Sequence, residues 1–260
     1  PPRSTLFPYT TLFRSYDYMA IVGQSLGLIY GYEFDGIYQY SDFYSVPGSS
    51  TLILKEGVTS NPSLGNRLSP GAVKYKDQDG DGVITTKDRT VIGNALPKWY
   101  GGITNTFNYK GIDFSFMLQF NYGNDIYNAT RLYATQTNTQ RRNQLAEVAD
   151  RWSPTNASNK VPRYNGYVVN DVYSRFVEDG SFLRLKNITL GYTLPHKWTR
   201  SFHVSKLRVY ATGQNLFCLN NYSGYDPEVS TASKSPMTPG LDWGAYPKSR
   251  VFTFGIDLQF

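Results

Sequence analysis

The end of the chain alternates strictly between apolar and polar side chains. The apolar positions are Phe254, Ile256, Leu258 and Phe260, and the polar positions are Thr253, Gly255, Asp257 and Gln259. Successive side chains of a β-strand point to opposite faces of a sheet, so this strand has one apolar and one polar face. Such a strand suits the wall of a transmembrane β-barrel, with its apolar face toward lipid and its terminal aromatic residue at the headgroups. A strand of a water-soluble sheet is the alternative.

Further stretches of the chain show the same alternation. They are residues 26–34, 99–109, 112–122, 188–194 and 207–217. Only Lys110-Gly111 separates the second stretch from the third, which predicts a hairpin with a tight turn. Strands of about ten residues match the length that a tilted strand needs to cross a membrane. With the last strand included, the pattern predicts an all-β fold of about six antiparallel strands.

The connections between these strands alternate in length. The short ones are 110–111 and 195–206, and the long ones, rich in Asn, Ser, Pro and Gly, are 37–98, 123–181 and 218–250. Short periplasmic turns and long extracellular loops are typical of outer-membrane barrels. Because about eight strands are the fewest that close such a barrel, the pattern predicts a fragment of a larger one.

One long connection has the period of a helix. The spacing predicts a helix from Arg141 to Trp152, with Leu145, Val148, Ala149 and Trp152 on one face.

Composition excludes several classes of protein. The chain has a mean hydropathy of −0.43, a formal net charge of +6 and 16% aromatic residues. No apolar run approaches the roughly 18 residues of a spanning helix, which excludes a helical membrane protein. One cysteine and two histidines exclude a disulfide framework and a Cys/His metal site. The single basic cluster, between His196 and Arg208, is interpreted as a solvated turn, so no nucleic-acid partner is expected.

The start of the chain does not fit the rest. Residues 1–15 resemble the translation of a sequencing adapter joined to a broken reading frame, and they do not follow the pattern of a signal peptide. We interpret residues 1–15 as non-native and expect the natural protein to extend upstream of Tyr16.

A run of acidic residues in the first long connection follows the spacing of a calcium-binding loop. Its candidate ligands are Asp77, Asp79, Asp81, Val83 (through its carbonyl), Thr85 and Asp88, with Gly82 at the sharp turn. Calcium takes six to eight oxygen ligands, and this spacing places them around one point. Asp88 stands where such loops have Glu, so we expect a weak structural Ca²⁺ site of roughly 10⁻⁴ to 10⁻³ M. The alternative is an Asx-rich turn that needs no ion.

No group of residues predicts catalysis. His196 and His203 fall in or beside a short turn, and the acidic pairs Glu178-Asp179 and Asp226/Glu228 lie in contexts typical of solvated charges. We therefore expect that the chain is not an enzyme. The aromatic residues of the long loops could stack on sugars or peptides, but they could equally pack the loops against one another.

Several motifs together resemble the SusC/RagA family of TonB-dependent outer-membrane transporters of Bacteroidetes. They are GYEFDGIYQ (31–39), the run DQDGDGVITTKDR (77–89) within 70–97, GSFLRLKNITLGY (180–192), QNLF (214–217), GYDPE (224–228) and Tyr246-Pro247 with Arg250. The resemblance covers nearly everything after Tyr16.

The resemblance implies a fold, a location and partners. Residues 16–260 would be the C-terminal part of a barrel of about 22 strands, without its plug domain. Such proteins import glycans or peptides through the Gram-negative outer membrane, together with a SusD-like surface lipoprotein. TonB would act through the missing N-terminal region, so this chain alone would not transport, and its other partner would be outer-membrane lipid. The alternative is a secreted all-β binding module or adhesin with a calcium-stabilised loop.

Overall fold

The computed structural model of the protein describes residues 11–14, 17–136, 143–231 and 237–260. The strands are β1 (Thr11–Arg14), β2 (Tyr18–Ile21), β3 (Leu28–Tyr32), β4 (Phe34–Ile37), β5 (Phe43–Ser45), β6 (Leu52–Leu54), β7 (Val73–Tyr75), β8 (Arg89–Asn94), β9 (Trp99–Tyr109), β10 (Ile112–Tyr122), β11 (Asp125–Asn128), β12 (Val177–Asp179), β13 (Phe182–Thr193), β14 (Lys206–Asn220), β15 (Leu241–Asp242) and β16 (Val251–Gln259). The α-helices are α1 (Ala129–Thr135) and α2 (His196–Thr199). Short 3₁₀ turns lie at Tyr40–Asp42, Pro62–Arg67, Thr86–Asp88, Ala146–Asp150, Ser174–Phe176 and Arg200–Phe202. None of the helices in these described ranges is long and apolar enough to span a membrane.

The chain divides into two compact units. We call one the sheet unit, which comprises Pro97–Asn124, Asp179–Glu228 and Ala245–Phe260. The other, the loop unit, takes in the described residues of Pro1–Leu96, Asp125–Glu178 and Val229–Gly244. Two segments of the loop unit are therefore the long connections between strands of the sheet unit.

The sheet unit is a five-stranded antiparallel sheet in the order β16-β14-β13-β10-β9. Strands β9 and β10 have the bounds that the alternating pattern predicts. Lys110 and Gly111 join them with φ values of 45° and 85°. Positive φ at both central residues is the geometry of the type I′ turn, whose twist matches that of a hairpin. The predicted hairpin is confirmed.

Strands β13 and β14 are longer than the alternation indicates, because their pairing contains an irregularity. The register shifts between Leu185 and Asn187, and Asn215 on the opposite strand has a φ of 53°. Extra residues at such a bulge interrupt the period of two, which hides the continuation of a strand in the sequence.

The loop unit is built from small sheets around a core rich in tyrosine. It contains a sheet in the order β1-β2-β3-β8, a sheet in the order β12-β11-β15, and the pairs β4-β7 and β5-β6. Tyr32 stacks on Tyr75 with ring centroids 4.7 Å apart, and the Tyr75 hydroxyl donates to Asp171 at 3.1 Å. Tyr38, Phe43, Tyr167 and Tyr173 are also buried. Many loop aromatics thus pack loops together.

Two elements differ from the sequence-based expectation. Residues 26–34 form β3 and part of β4 in the loop unit, and β3 is buried on every residue, so its alternation does not mark a lipid face. The prediction of an α-helix from Arg141 to Trp152 is wrong for the residues that the structure describes, which contain only a 3₁₀ turn at Ala146–Asp150. The first two residues of the predicted helix lie outside the described ranges. Val148 and Trp152 are buried as expected, but Leu145 is exposed.

Candidate functional site

The acidic loop lies between β7 and β8 and is anchored in the core of the loop unit. Ile84, near its middle, is 3% exposed and belongs to the hydrophobic core. Ser60 donates its N–H to the Gly82 carbonyl at 2.8 Å and accepts from the Ile84 N–H at 2.7 Å. The loop is therefore held at one point by backbone hydrogen bonds and an apolar side chain, while its carboxylates lie at the surface.

Three of the predicted ligands lie together. Asp77, Asp79 and Asp81 each offer a carboxylate oxygen, and these oxygens lie within 4.8 Å of one another. Calcium holds oxygen ligands at about 2.3–2.6 Å, so two ligands on opposite sides of an ion lie about 5 Å apart. The spacing of the three carboxylates therefore fits a single calcium ion.

Backbone N–H groups fix these carboxylates. Asp77 accepts from the N–H groups of Gly80 and Gly82, both at 2.7 Å, and Asp81 accepts from the Val83 N–H at 2.8 Å. The hydrogen bond from Gly82, followed by that from Gly80, lowers the pKa of the Asp77 carboxyl. Asp77 is thus kept ionised, as a metal ligand must be.

Asp88 and Thr85, the other predicted ligands with side-chain oxygens, make hydrogen bonds within the loop. Asp88 is fully buried, and its two oxygens accept from the N–H groups of Gln78 at 2.9 Å and Thr85 at 2.7 Å. The Thr85 hydroxyl accepts from the Lys87 N–H at 3.2 Å. Both side chains close the loop by capping a short 3₁₀ turn, and Asp88 is not part of the three-carboxylate cluster.

The basic residues that flank the loop are engaged elsewhere. Lys76 forms an ion pair with Glu33 at 3.2 Å. The Arg89 guanidinium lies 4.9 Å from the ring centre of Tyr30 and donates to the Tyr30 carbonyl. Lys76 is therefore held by an acidic partner, and the Arg89 guanidinium is held against Tyr30.

Three of the four acidic residues considered for catalysis are bound to cations. Glu178 accepts from Arg131 at 3.1 Å, and Asp226 accepts from Arg184. Glu228 accepts from Lys186 and also pairs with Lys248. Ion pairs of this kind fix loops and strands in place.

The two faces of the sheet unit differ sharply in chemistry. On one face apolar side chains are exposed; Phe254 is 81% and Phe252 is 66% accessible. Water-soluble proteins rarely expose continuous apolar surfaces of this extent. The residues on this face include Ile103, Phe107, Ile112, Leu190, Val209, Phe252, Phe254, Ile256 and Leu258.

The opposite face carries an ion-pair network that sequence reasoning missed. Arg208 on β14 donates to Asp113 on β10 at 2.6 and 2.9 Å, and to Asp257 on β16 at 2.9 Å. Gly191 on β13 lies between them. It has no side chain, and a Cβ atom at this position would come within 2.5 Å of the Asp113 carboxylate. The sequence shows charged residues at polar positions of the alternating strands. It does not show which of them are neighbours, because that depends on how the strands are aligned in the sheet.

Comparison with known proteins identifies the family. No family model matches the sequence. The chain is 35% identical over 242 residues to TonB-dependent receptor P3 of Formosa agariphila, which covers 92% of this chain and 22% of that protein. It is 32% identical over 188 residues to TonB-dependent receptor SusC of Bacteroides thetaiotaomicron, which covers 72% of this chain and 17% of SusC. The chain thus spans about a fifth of the length of these relatives.

Solved structures share the fold. The structure of the RagAB peptide transporter matches with a TM-score of 0.69 at 20% identity, over 98% of this chain and 25% of that one. The closed-closed state of the RagAB peptide importer matches with a TM-score of 0.67 at 22% identity. These proteins are named as receptors and transporters, not as enzymes. The chain belongs to the SusC/RagA family of TonB-dependent outer-membrane transporters, and it forms part of their large β-barrel.

Proposed function

We propose that this chain forms part of the wall and outer loops of a TonB-energised importer of glycan or peptide oligomers that works with a SusD-like surface lipoprotein. The observation that carries the proposal is the sheet unit, whose exposed apolar face suits lipid and whose opposite face holds the Arg208 network. The similarity to SusC and to the RagAB peptide transporter supports it. These two relatives leave glycans and peptides open as substrates.

Uptake by living cells tests the import proposal. The gene that encodes this chain would be deleted in its own bacterium, and fluorescent oligosaccharides and peptides would be offered with and without a protonophore. The proposal expects that deletion and protonophore each abolish uptake of one class, and that the restored gene recovers it. Unchanged uptake of both classes in the deletion strain would rule the proposal out.

The orientation proposed here places the long connections outside the cell and the short turns in the periplasm. Two single-cysteine variants are made in a Cys218→Ser background. Ser49→Cys places the cysteine in the first long connection, and Ser201→Cys places it in a short turn. A membrane-impermeant maleimide applied to intact cells is expected to label Ser49→Cys and not Ser201→Cys. Labelling of both in lysed cells is the control, and the reverse pattern in intact cells would invert the orientation.

We further propose that Asp77, Asp79 and Asp81 bind a calcium ion that stabilises the outer loop. The spacing of their oxygens and the N–H groups that fix Asp77 support this. The Val83 carbonyl and the Thr85 hydroxyl, or waters that they hold, would complete the shell, as expected from the loop pattern. Asp88 would act by holding the loop closed.

Calcium titration tests the metal proposal. The melting temperature and the protease sensitivity of the loop are measured with chelator and with millimolar calcium. Calcium is expected to raise both the melting temperature and the protection, and Asp79→Ala/Asp81→Ala is expected to remove the response. Glu56→Gln/Asp150→Asn, which removes two carboxylates from exposed positions elsewhere in the loop unit, should keep it. An equal melting temperature in chelator and in calcium would contradict the metal proposal and favour an Asx-rich turn that needs no ion.

A further inference from the structure

The connection between β13 and β14 borders a cavity. It contains α2 and the 3₁₀ turn Arg200–Phe202. The cavity has a volume of about 300 Å³, within the lower range of ligand pockets. Its lining consists of Leu194, Trp198, Thr199, Val204 and Leu207. The lining is almost entirely apolar, so water is a poor occupant.

One residue of the cavity lining, Leu207, also lies on the apolar face of the sheet unit. The Leu194 N–H donates to the Leu207 carbonyl at 2.9 Å, which closes the end of the β13-β14 pair. Leu207 lies opposite Leu258, and Val209, two residues along, lies opposite Ile256. These side chains share the face that the proposed function assigns to lipid. An acyl chain on that face would therefore meet the apolar lining of the cavity at Leu207.

Aromatic residues mark the same end of the sheet. Trp198 lines the cavity, yet 64% of its surface is exposed. Tyr109 lies opposite Ile112, which in turn lies opposite Tyr192, so both tyrosines are at this end of the strands. Tryptophan and tyrosine favour the headgroup level of a bilayer, because one side of the ring is apolar and the other can hydrogen-bond.

The connection is basic and lacks acidic residues. No Asp or Glu occurs anywhere in residues 180–225. Lys197 and Arg200 flank Trp198, are exposed, and form no ion pair with any residue that the structure describes. At the neighbouring tight turn, the Lys110 ammonium lies 5.2 Å from the ring centre of Tyr109. Cations beside interfacial aromatic rings attract anionic lipid headgroups.

We propose that this connection binds an anionic phospholipid, with part of an acyl chain in the cavity and the headgroup phosphate held by Lys197 and Arg200 beside Trp198. The inference rests on the proposed membrane function of the sheet unit. A lipid is favoured over a protein partner because the cavity lining shares Leu207 with the apolar face, and an occupant beside Lys197 and Arg200 must present hydrocarbon and negative charge together.

Quenching of tryptophan fluorescence by brominated lipids tests the proposal. The protein is reconstituted into phosphatidylcholine vesicles that carry an equal fraction of brominated phosphatidylglycerol or brominated phosphatidylcholine. The contribution of Trp198 is the difference between the wild type and Trp198→Phe. Phosphatidylglycerol is expected to quench this contribution at least about twofold more strongly, because each cation enriches anionic lipid nearby. Lys197→Gln/Arg200→Gln should bring the ratio to one.

The controls separate the possible failures. Lys87→Gln/Lys160→Gln removes two exposed charges in the loop unit and should leave the ratio unchanged. Equal quenching of Trp198 by both lipids, or an excess that survives Lys197→Gln/Arg200→Gln, would overturn the lipid site. Loss of the excess when inorganic phosphate is added would also overturn it, in favour of a phosphate site. If neither lipid quenches Trp198 or Trp99, the membrane function itself fails.

Discussion

A single glycine allows an ion-pair network to cross a strand. Arg208 reaches Asp113 over β13 because Gly191 has no side chain in the way. We predict that Gly191→Ala separates the two charges and lowers the thermal stability of the folded barrel. The measurement is the temperature at which the heat-modifiable band is lost in SDS gels.

A double-mutant cycle provides the control for this prediction. If Gly191 acts through the Arg208–Asp113 pair, Gly191→Ala should cost much less when Asp113→Ala is already present. Equal losses in both backgrounds would mean that the glycine matters for another reason.

Glu147 links two arginines in the loop unit and should make its stability depend on pH. It accepts from Arg131 at 2.7 Å and from Arg175 at 3.0 Å. The hydrogen bond from Arg131 lowers the pKa of Glu147 below its ordinary 4.5, against the opposing effect of burial. Because the folded pKa is lowered, the stabilisation is complete above about pH 4.5 and is lost as the pH falls through the folded pKa.

We predict that Glu147→Gln lowers the free energy of unfolding by about 2 kcal/mol at pH 7, since Arg175 loses its carboxylate partner. The difference from the wild type should shrink as the pH falls below 4.5. Denaturation at several pH values measures it. Glu56→Gln, at an exposed position, is the matched control with little expected effect. A loss that does not depend on pH would exclude the ionised pair as its cause.

At the scale of elements, the hairpin turn is the clearest case of local sequence fixing structure. Gly111 has a φ of 85°, and a Cβ atom there would come within 2.7 Å of the Thr193 carbonyl. We predict that Gly111→Ala destabilises the hairpin by about 1–2 kcal/mol. Lys110→Asn should be neutral or stabilising, because Asn suits the first position of a type I′ turn. Melting temperatures of the two variants check this, and equal values would contradict it.

The sequence predicted elements well where a local rule decides them. β9, β10 and their turn follow from alternation and from Gly111, and the three carboxylates follow from the spacing of the acidic loop. Prediction failed where distant contacts decide. Residues 28–32 alternate like a half-exposed strand, but loop segments cover both faces of β3. The hydrogen bonds that Asp88 accepts from the N–H groups of Gln78 and Thr85 could not be read from spacing either, and its role as a ligand stays a prediction.

At the scale of the whole molecule, the chain uses its aromatic residues in two ways. In the loop unit many of them are buried, and some are stacked, as with Tyr32 and Tyr75, so that long polar connections share a core. In the sheet unit many are exposed on the face opposite the Arg208 network. High aromatic content in a chain of mean hydropathy −0.43 is thus explained by a structured loop unit and by a sheet with one exposed apolar face.

The measurement that tests this account most directly is the accessibility of neighbouring residues on β16. Spin labels would be placed at Phe252, Thr253 and Phe254, one at a time, in a Cys218→Ser protein reconstituted in bilayers. The account predicts that labels at 252 and 254 collide with dissolved oxygen, and that the label at 253 collides with a water-soluble nickel complex. Equal access of the nickel complex to all three positions would contradict a lipid-facing sheet.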